Sequence, residues 1–400
     1  MYKLFIASII AFVVFFSGCR TAPEKVEKPK DYSRPLPPGQ LALRRITDPS
    51  RIPDFTFAAY DTENLQQAIM YSLDYMSKPS SGNFFPYGGI SHEHAVASLD
   101  RFAEMLDAGL YGTALNDAIR EQYDVYESVG CDDKGTVLFT GYYTPIFEGS
   151  MEKTEEFRYP LYSQPDDLVK GAEGKILGKR MPDGSLEKYP PRSVLENSGI
   201  LDGKELLYLS DPFEVYIAHV QGSAIVRLPD GEEINVGYAA NNGYEYKSVA
   251  KSMISDNTIP SKEMSLATMI EYFHNNPDKV VSYIQRNPRF VFFQLDDTSP
   301  RGSLNTPVTP YRTIATDKEV YPRACLSFIK TKLPKSMGGQ IVQRSYAGFT
   351  LDQDTGGAIR VPGRCDVYMG IGDKAGELAG SVYQEGRLYY LFLKPTQARF

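Results

Sequence analysis

Near its C-terminus the chain reads Asp354-Thr355-Gly356-Gly357-Ala358-Ile359-Arg360 and, shortly after, Gly363-Arg364-Cys365-Asp366-Val367-Tyr368. Two aspartates thus stand twelve positions apart, with a glycine-rich turn between them and β-prone residues around them. This layout can bring carboxylates from neighbouring strand ends to one side of a sheet or barrel. A carboxyl group in a partly apolar groove has a raised pKa, because burial disfavours its charged form, and it can donate a proton. Cleavage of a glycosidic bond needs such a donor.

Length and composition narrow the class of protein. A chain of 400 residues can bury one large core or two moderate ones, and two domains are the better expectation. The net charge of −7 and the lack of a dense Lys/Arg cluster argue against a nucleic-acid partner. Tryptophan is absent, but there are 28 tyrosines. Tyrosine has a flat face and a hydroxyl group that suit a sugar, although most of these residues are expected to pack within strands.

Residues 1–18 predict a lipoprotein signal peptide. The run from Leu4 to Phe16 is apolar except at Ser8, and it is followed by Ser17-Gly18-Cys19. It is too short for an ordinary transmembrane helix and ends in small residues. A cysteine directly after Ser-Gly resembles a bacterial lipobox, so Cys19 is predicted to carry the lipid. The alternative is a plain signal peptide with an incidental cysteine.

The residues after Cys19 bear on location. Arg20, in place of aspartate, resembles the default for sorting to an outer membrane, so the expected location is the periplasmic face of that membrane. Residues 19–53 contain many Pro and Lys and predict an extended tether. Export would permit a disulfide among Cys131, Cys325 and Cys365, and the sequence does not choose the pair.

Hydrophobic spacing predicts three helices before the first strands. One contains Leu65, Ile69, Leu73 and Met76, a second is capped by Ser91, and a third contains Leu115, Ile119 and Tyr123. Their apolar stripes predict faces that pack against a core.

From Val137 onward the pattern is mostly that of strands and turns. The segments 214–228 and 232–239 flank Pro229-Asp230-Gly231 and predict a β-hairpin. Two helices are predicted near 245–255 and 265–286, the latter broken at Asn276-Pro277. Residues 290–293 predict a buried strand, and the region from 300 to 400 again predicts strands and turns.

Metal and cofactor chemistry is not indicated. His92-Glu93-His94 offers two ligands, but no third His or Cys stands at zinc-like spacing, and a solvated first turn of a helix is expected there. Asp352-Gln353-Asp354 begins like a calcium loop, yet Gly363 occupies the twelfth position, where an acidic residue is required. No nucleophile elbow or phosphate-binding loop occurs. No metal and no cofactor are therefore predicted.

Asp354-Thr355-Gly356 is also the short signature of aspartic proteases. Those enzymes need two such aspartates that share a proton. The chain contains no second Asp-Thr-Gly or Asp-Ser-Gly, and Gln353 is polar where an apolar strand residue is usual. This alternative would require a homodimer, which is improbable for a chain of this size.

Five blocks, in order, resemble the membrane-bound lytic murein transglycosylase A family over roughly Asp54 to Pro395. Each block alone is weak evidence, but five in the right order are highly specific, and the lipobox agrees independently. The blocks are Phe139-Thr140-Gly141-Tyr142-Tyr143-Thr144-Pro145, His219-Val220-Gln221-Gly222-Ser223, Gly237-Tyr238-Ala239-Ala240-Asn241-Asn242-Gly243, Asn287-Pro288-Arg289-Phe290-Val291-Phe292-Phe293, and Asp354-Thr355-Gly356-Gly357-Ala358-Ile359 with Arg364, Asp366 and Met369-Gly370-Ile371-Gly372.

The resemblance implies a mainly β fold with flanking helices. A double-psi β-barrel domain would comprise residues 54–144 and 298–400, and a second β-rich domain, residues 145–297, would be inserted with a glycan groove between the two. Val361 departs from the family pattern, since a glycine is common at its position, as do Val194 and Ala224.

The resemblance also implies roles for residues. Three family aspartates match Asp317, Asp354 and Asp366, with Asp366 as the catalytic acid and base, Asp354 as its close neighbour and Asp317 as structural. Tyr142 and Tyr143 cannot both face the groove if their strand is regular. The residues implied to bind substrate are Thr140, Gly141, Tyr142, Tyr143, Gln221, Gly222, Ser223, Asn242, Gly357 and Arg364.

The implied activity is cleavage of peptidoglycan between N-acetylmuramic acid and N-acetylglucosamine with one effective acid. The substrate's own C6 hydroxyl would attack C1, which gives a 1,6-anhydro product and gains from proximity. Two alternatives stay open: a non-catalytic peptidoglycan-binding lipoprotein, and a hydrolase that uses Asp366 as acid and Asp354 as base. The sequence does not decide chain-end preference, dependence on stem peptides, protein partners or oligomeric state.

Overall fold

The computed structural model describes residues 30–171, 174–296 and 299–395. The predicted signal peptide, Cys19 and the start of the predicted tether lie outside these residues. Within the described ranges, none of the helices has the length and apolar character needed to cross a membrane.

The secondary structure is mainly β with helices around it. The α-helices are α1 (Leu65–Met76), α2 (His92–Asp107), α3 (Gly112–Gln122), α4 (Arg192–Leu195), α5 (Pro212–Gln221), α6 (Val249–Ser255), α7 (Leu266–Asn275), α8 (Val280–Ile284) and α9 (Asp373–Gly380). The strands are β1 (Leu43–Arg45), β2 (Tyr123–Ser128), β3 (Val137–Thr144), β4 (Ile146–Ser150), β5 (Tyr159–Tyr162), β6 (Leu168–Lys170), β7 (Ile176–Arg180), β8 (Leu186–Glu187), β9 (Glu205–Leu209), β10 (Ala224–Arg227), β11 (Glu233–Asn241), β12 (Val291–Asp296), β13 (Thr313–Ala315), β14 (Leu326–Met337), β15 (Gln340–Asp354), β16 (Arg364–Ile371) and β17 (Tyr383–Leu393).

A closed barrel forms from β3, β16, β13, β15, β14 and β17. The strands pair in that order, and an antiparallel pairing of β17 with β3 closes the ring. The pairs β3–β16 and β13–β15 are parallel. Closure removes the exposed strand edges that an open sheet would present. The barrel predicted by resemblance is therefore confirmed as the centre of a mainly β fold.

The barrel core and the first helices share one apolar cluster. Phe139, Phe328 and Phe349 are fully buried, and Phe55 stacks on Phe349 and packs edge-to-face against Phe328. The end of β17, from Leu388 to Leu393, is buried at every position, as expected for a strand covered on both faces. On one side this cover comes from α2. The three predicted N-terminal helices are confirmed as α1 to α3, and the Ser91 side chain caps α2 by accepting from His94 N at 3.1 Å.

A second sheet has the strand order β12-β11-β10-β4-β9-β5. Its apolar core contains Leu207, Leu209, Val226 and Phe293, against which α5, α7 and α8 pack. A smaller sheet, β6-β7-β8, lies in the same part of the chain. These strands fall within residues 146–296, between β3 and β13 of the barrel. A second β-rich region inserted into the barrel is thus present, while the domain boundaries given above stay a prediction.

One strand prediction is wrong. The first half of segment 214–228 is helix α5, because Asp211 caps it by accepting from Phe213 N at 2.6 Å and Pro212 is its first residue. The helix ends at Gly222, whose φ of 81° is the left-handed conformation that glycine adopts readily. The hairpin itself is confirmed, since β10 and β11 pair antiparallel up to Arg227 and Glu233. Helix α9 was not predicted.

The predicted tether extends too far. Residues 43–45 form β1, which pairs antiparallel with β2 in the register Leu43 to Ser128. Ala42 is fully buried and Leu43 nearly so. Burial of these apolar side chains favours the strand, so residues 42–46 belong to the folded part of the chain.

The structure also bears on the histidines and cysteines considered in the sequence. His94 is not solvated, because its Nε2 lies 2.7 Å from the carbonyl oxygen of Leu393 and the side chain is buried. Within the described ranges, no group of three or more His, Cys, Asp or Glu residues could hold a metal ion. Cys325 and Cys365 are buried free thiols, and burial raises the pKa of both well above the usual range.

Candidate active site

The barrel register brings the two C-terminal aspartates together. Ala315 of β13 is the partner of Asp354 in β15 on one side and of Asp366 in β16 on the other. On its far side Asp366 is the partner of Thr140 in β3. Residues paired across strands point to the same face. The four side chains therefore form a row across one face of the barrel, and Thr140 and Asp366, which are 226 positions apart in sequence, meet there.

Asp366 is held as a proton-donating group. Its Oδ1 accepts a hydrogen bond from Thr140 Oγ1, and Thr140 Oγ1 in turn accepts from Arg364 Nη2 at 3.2 Å. Burial raises the pKa of Asp366 to about 6, the Arg364 charge works against this, and the nearby Asp354 adds to it. A carboxyl group with this pKa is partly protonated near neutral pH and can act as both acid and base.

Asp354 is a buried acceptor at the end of β15. Its Oδ1 accepts from the backbone N–H groups of Ser303 and Thr355, both at 2.7 Å, and its Oδ2 accepts from the Tyr142 hydroxyl at 2.8 Å. Burial raises the pKa of Asp354, although these donors oppose the shift. Because both oxygens are already engaged, this carboxyl group is fixed in place beside Asp366.

Both aspartates line a groove of about 290 Å³ between the barrel and the second sheet. On the barrel side it is lined by Tyr142, Asp354, Asp366 and the turn Thr355-Gly356-Gly357. The facing wall includes the end of α5, with Gln221, Gly222 and Ser223, and residues from the second sheet such as Tyr238. The groove is partly open to solvent, and both carboxyl groups lie on its wall.

Only some of the predicted substrate-binding residues line the groove. They are Tyr142, Gln221, Gly222, Ser223 and Gly357. Thr140 donates to Asp366, and Arg364 donates to Thr140.

Tyr143 points away from the groove, as the alternation of a strand requires. Its ring packs on α9, where a Cβ on Gly376 would lie 2.8 Å from it. Its backbone N–H donates to Gln221 Oε1 at 3.2 Å. Tyr143 therefore helps to position Gln221, and the prediction that its side chain lines the groove is not supported.

Gly141 also faces α9 and not the groove. A Cβ at this position would lie 2.9 Å from the Ala379 Cα and from Val382 Cγ2. The glycine is required for the close approach of β3 to α9, which is a packing role. Gly141 was also predicted to contact substrate, and that prediction stays untested.

We expect Gly141→Ala to lower the free energy of unfolding by about 1–3 kcal/mol, because overpacking displaces backbone atoms of α9. Urea or thermal denaturation measures the change. Gly380→Ala is the matched control, since a Cβ there meets no atom within 4 Å and should leave stability nearly unchanged. Equal stability of both variants would contradict the packing role.

Asn242 holds the backbone of the second sheet. It is buried, its Nδ2 donates to the carbonyl oxygens of Pro190 and Pro288 at 2.9 Å each, and its Oδ1 accepts from Phe290 N at 2.8 Å. An amide engaged on both sides has a structural role. The prediction of Asn242 as a substrate contact is therefore corrected.

Asp317 supports the turn between the two aspartate segments. It is buried and accepts from Val361 N at 2.8 Å and from Glu319 N at 3.1 Å. Val361 has a φ of 60°, a conformation that costs a β-branched residue energy and suits glycine. The family's usual glycine at this position thus has a physical reason, and the contacts of Asp317 agree with the structural role predicted for it.

Sequence reasoning missed His219 as part of the groove wall. Its Nδ1 accepts from Arg192 Nη2 at 2.8 Å, so the proton of the neutral ring is on Nε2. Burial and the Arg192 charge lower the pKa of His219 well below its usual value, which keeps the ring neutral. Its Nε2 is buried and finds no hydrogen-bond acceptor among the described residues. His219 stands in a quoted block, but only the structure shows the arginine that sets its tautomer.

Basic residues of the groove were missed as well. Arg289, Arg301, Lys318, Arg323 and Arg360 all line it. They come from separate parts of the sequence, and no local cluster of Lys or Arg signals their convergence.

The fold and the site together indicate a class of protein. A protonatable carboxyl group in a groove between a β-barrel and a second sheet is typical of an enzyme that uses acid–base chemistry.

Comparison with known proteins gives the family. Residues 138–294 match the family model described as the MltA specific insert domain, and residues 312–392 match the 3D domain. The membrane-bound lytic murein transglycosylase A homolog of Buchnera aphidicola subsp. Schizaphis graminum is 30% identical over 284 residues, which cover 69% of this chain and 72% of that protein. The Escherichia coli K12 protein named membrane-bound lytic murein transglycosylase A is 28% identical over 278 residues, covering 68% and 70%. The chain belongs to the membrane-bound lytic murein transglycosylase A family.

Solved structures agree in fold. The membrane-bound lytic murein transglycosylase from Agrobacterium tumefaciens superposes with a TM-score of 0.73 at 23% identity, covering 88% of this chain and 98% of that one. The E. coli MltA structure with bound chitohexaose gives 0.68 at 22% identity, covering 93% and 100%.

Proposed function

We propose that this chain is a lytic transglycosylase that cleaves the β-1,4 bond between N-acetylmuramic acid and N-acetylglucosamine in peptidoglycan. The main support for the proposal is that Asp366 lines an open groove and that burial raises its pKa to about 6. Family membership supports the substrate class, and a relative of the same fold has been solved with chitohexaose, a β-1,4-linked glycan.

In the proposed reaction, protonated Asp366 donates its proton to the glycosidic oxygen as the bond to C1 breaks. The C6 hydroxyl of the same N-acetylmuramic acid attacks C1 and forms a 1,6-anhydro ring. The Asp366 carboxylate then takes the proton that the hydroxyl loses, so the enzyme returns to its starting state. The intramolecular nucleophile gains heavily from proximity and makes a second catalytic carboxylate unnecessary.

The geometry of Asp354 disfavours the hydrolase alternative. A general base that activates water needs an oxygen free to accept the water's proton. Oδ1 of Asp354 accepts from two backbone N–H groups and Oδ2 from the Tyr142 hydroxyl, so protein donors occupy most of its acceptor capacity. We assign Asp354 a positioning role: it holds the Tyr142 hydroxyl and raises the pKa of Asp366 by its charge.

The groove offers neutral hydrogen-bonding groups to the glycan. The His219 ring keeps Nε2–H as a donor, and the Gln221-Gly222-Ser223 segment adds backbone and side-chain groups at the same wall. Hydroxyl and acetamido groups of a sugar pair with donors and acceptors of this kind, and Tyr142 and Tyr238 offer ring faces. These residues are proposed to position the sugar rings on either side of the bond that breaks.

The proposed location is the periplasmic face of the outer membrane, through a lipid on Cys19. The support is the lipobox-like Ser17-Gly18-Cys19 together with the membrane-bound relatives. Metabolic labelling with a radioactive fatty acid tests this assignment, and Cys19→Ala should abolish the label while leaving the protein folded.

The rate should fall as the pH rises through about 6. Asp366 acts first as an acid, so the free enzyme is active in its protonated form, and its pKa is about 6. Above that value kcat/KM for release of soluble glycan from peptidoglycan should decrease about tenfold for each pH unit. A pH profile of kcat/KM measures this limb. A rate that stays flat from pH 5 to about 8 would contradict Asp366 as the acid.

A further inference from the structure

The groove is lined by more basic than acidic side chains, although a neutral glycan needs no positive charge to bind. Five basic side chains line it, against two acidic ones, Asp354 and Asp366. Two of the five are locally neutralised: Lys318 pairs with buried Asp352, and Arg301 Nε lies 3.1 Å from Asp296 Oδ2. Arg323 stacks on Phe84, with its guanidinium carbon 3.7 Å from the ring centroid. The remaining two, Arg289 and Arg360, line the groove near the Gly356-Gly357 turn.

Arg289 is a partly buried cation without a carboxylate partner among the described residues. Its Nη1 donates to the Tyr244 carbonyl oxygen at 3.1 Å, and its Nε would lie 3.0 Å from a Cβ on Gly357. Burial lowers the pKa of its guanidinium, and the Arg360 charge adds to the effect. Removing a charge from water without a counter-charge is unfavourable, so this arrangement points to an anion supplied by a ligand.

Arg360 lines the same groove and keeps N–H donors available to a ligand. Its side chain is 51% exposed, and its Nη1 lies 3.6 Å from Asp317 Oδ1. Asp317 already accepts two backbone N–H groups, so it is only a distant partner for Arg360. Two guanidinium groups that line the same groove, each with N–H groups in a planar fork, match the geometry of carboxylates.

We propose that Arg289 and Arg360 form a subsite for a carboxylate carried by the muramyl residue of the substrate. This inference rests on the proposed function. N-acetylmuramic acid differs from N-acetylglucosamine by a lactyl ether that ends in a carboxyl group. In peptidoglycan that group is free or carries a peptide with further carboxylates. Either source presents the same chemistry to the two arginines, and a chitin-type glycan presents neither.

The test compares ligands that differ in this carboxylate. Dissociation constants are measured by calorimetry for three glycans of similar length in the Asp366→Asn background, in which cleavage is expected to be slow. They are chitohexaose, a peptide-free glycan strand with lactyl carboxylates, and a strand that retains its stem peptides. The added variants are Arg289→Gln, Arg360→Gln and Arg289→Lys, with Arg344→Gln as the matched control. Arg344 is exposed on β15 and does not line the groove, so this control removes one positive charge elsewhere.

Arg289→Gln and Arg360→Gln should each weaken binding of the carboxylate-bearing strands about tenfold, and binding of chitohexaose less than twofold. Arg289→Lys should restore part of the loss, because it keeps the charge without the fork. Weaker binding of the peptide-free strand alone would assign the lactyl carboxylate, and weaker binding of the peptide-bearing strand alone would assign the peptide carboxylates. Weaker binding of both strands would show that the subsite accepts either carboxylate.

Equal losses on all three glycans, or no loss on any, would overturn the subsite. The second outcome would leave the proposed function standing if the protein with Asp366 intact still cleaves peptidoglycan. Arg360→Gln keeps the test decisive if Arg289→Gln fails to fold, since Arg360 is half exposed. Failure of the parent protein to bind any glycan would contradict both the subsite and the proposed function.

Discussion

Asp366→Asn should reduce cleavage of peptidoglycan by about 10²- to 10⁴-fold, the contribution that a positioned general acid usually makes. Asparagine keeps the shape of the side chain and can still accept from Thr140, but it can neither donate an acidic proton nor take one from the C6 hydroxyl. Release of soluble glycan from purified peptidoglycan gives the rate. A variant that retains more than about a tenth of the wild-type rate would show that another group supplies the acid.

Stability separates this effect from misfolding. The pKa of Asp366 is raised to about 6, so the folded protein holds this proton more tightly than the unfolded chain does. By linkage the contribution of Asp366 is favourable below its ordinary pKa and is lost as the pH rises through about 6. Asparagine does not ionise. The variant should therefore be at least as stable as the wild type at neutral pH, as measured by thermal unfolding, while being inactive.

Asp354→Asn should lower the rate about tenfold at neutral pH and much less in acid. The Asp354 charge is one of the causes that raise the pKa of Asp366, so its removal lowers that pKa. A decrease of about one unit would reduce the protonated fraction of Asp366 about tenfold above pH 6. The alkaline limb of the kcat/KM profile should move to lower pH, with the rate restored as the pH falls.

Tyr142→Phe is the control for this prediction. It removes the hydroxyl that donates to Asp354 Oδ2 but leaves the Asp354 charge in place, so the limb should not move to lower pH as it does in Asp354→Asn. The hydrolase alternative predicts differently, because loss of a general base would abolish activity at every pH. An Asp354→Asn variant as inactive in acid as at neutral pH would contradict the positioning role.

Much of the architecture could be predicted because it follows from local pattern and from resemblance. Ser91 as a helix cap, the break at Asn276-Pro277 and the hairpin at Pro229-Asp230-Gly231 are short-range signals, and each is confirmed. Helix α5 was mistaken for a strand because its residues are β-branched or aromatic at several positions. The Asp211-Pro212 cap and the Gly222 end determine the helix there.

The site was predictable only in part, since its geometry is long-range. The pairing of Ala315 with both Asp354 and Asp366 depends on the barrel register, which no local pattern specifies. Gln353 was unexplained as a polar residue before Asp354. Its Nε2 donates to the Ala68 carbonyl oxygen at 2.8 Å and to Ser72 Oγ at 3.0 Å, and so ties α1 to the barrel.

Residue types alone did not separate groove contacts from packing. Gly141 and Asn242 stand in blocks that resemble the family's motifs, yet one permits close packing of α9 and the other holds the backbone of the second sheet. The alternation of β3 did predict that Tyr142 and Tyr143 face opposite sides, and the structure places only Tyr142 at the groove.

In the proposed reaction one carboxyl group, Asp366, drives an intramolecular transfer to the C6 hydroxyl. Mass spectrometry of the soluble products from peptidoglycan, with wild type and Asp366→Asn side by side, measures which product forms. We expect muropeptides that end in 1,6-anhydro-N-acetylmuramic acid, each lighter by one water than the reducing form, from the wild type only. Reducing ends from the wild type, or retained binding to peptidoglycan with no soluble product, would contradict it.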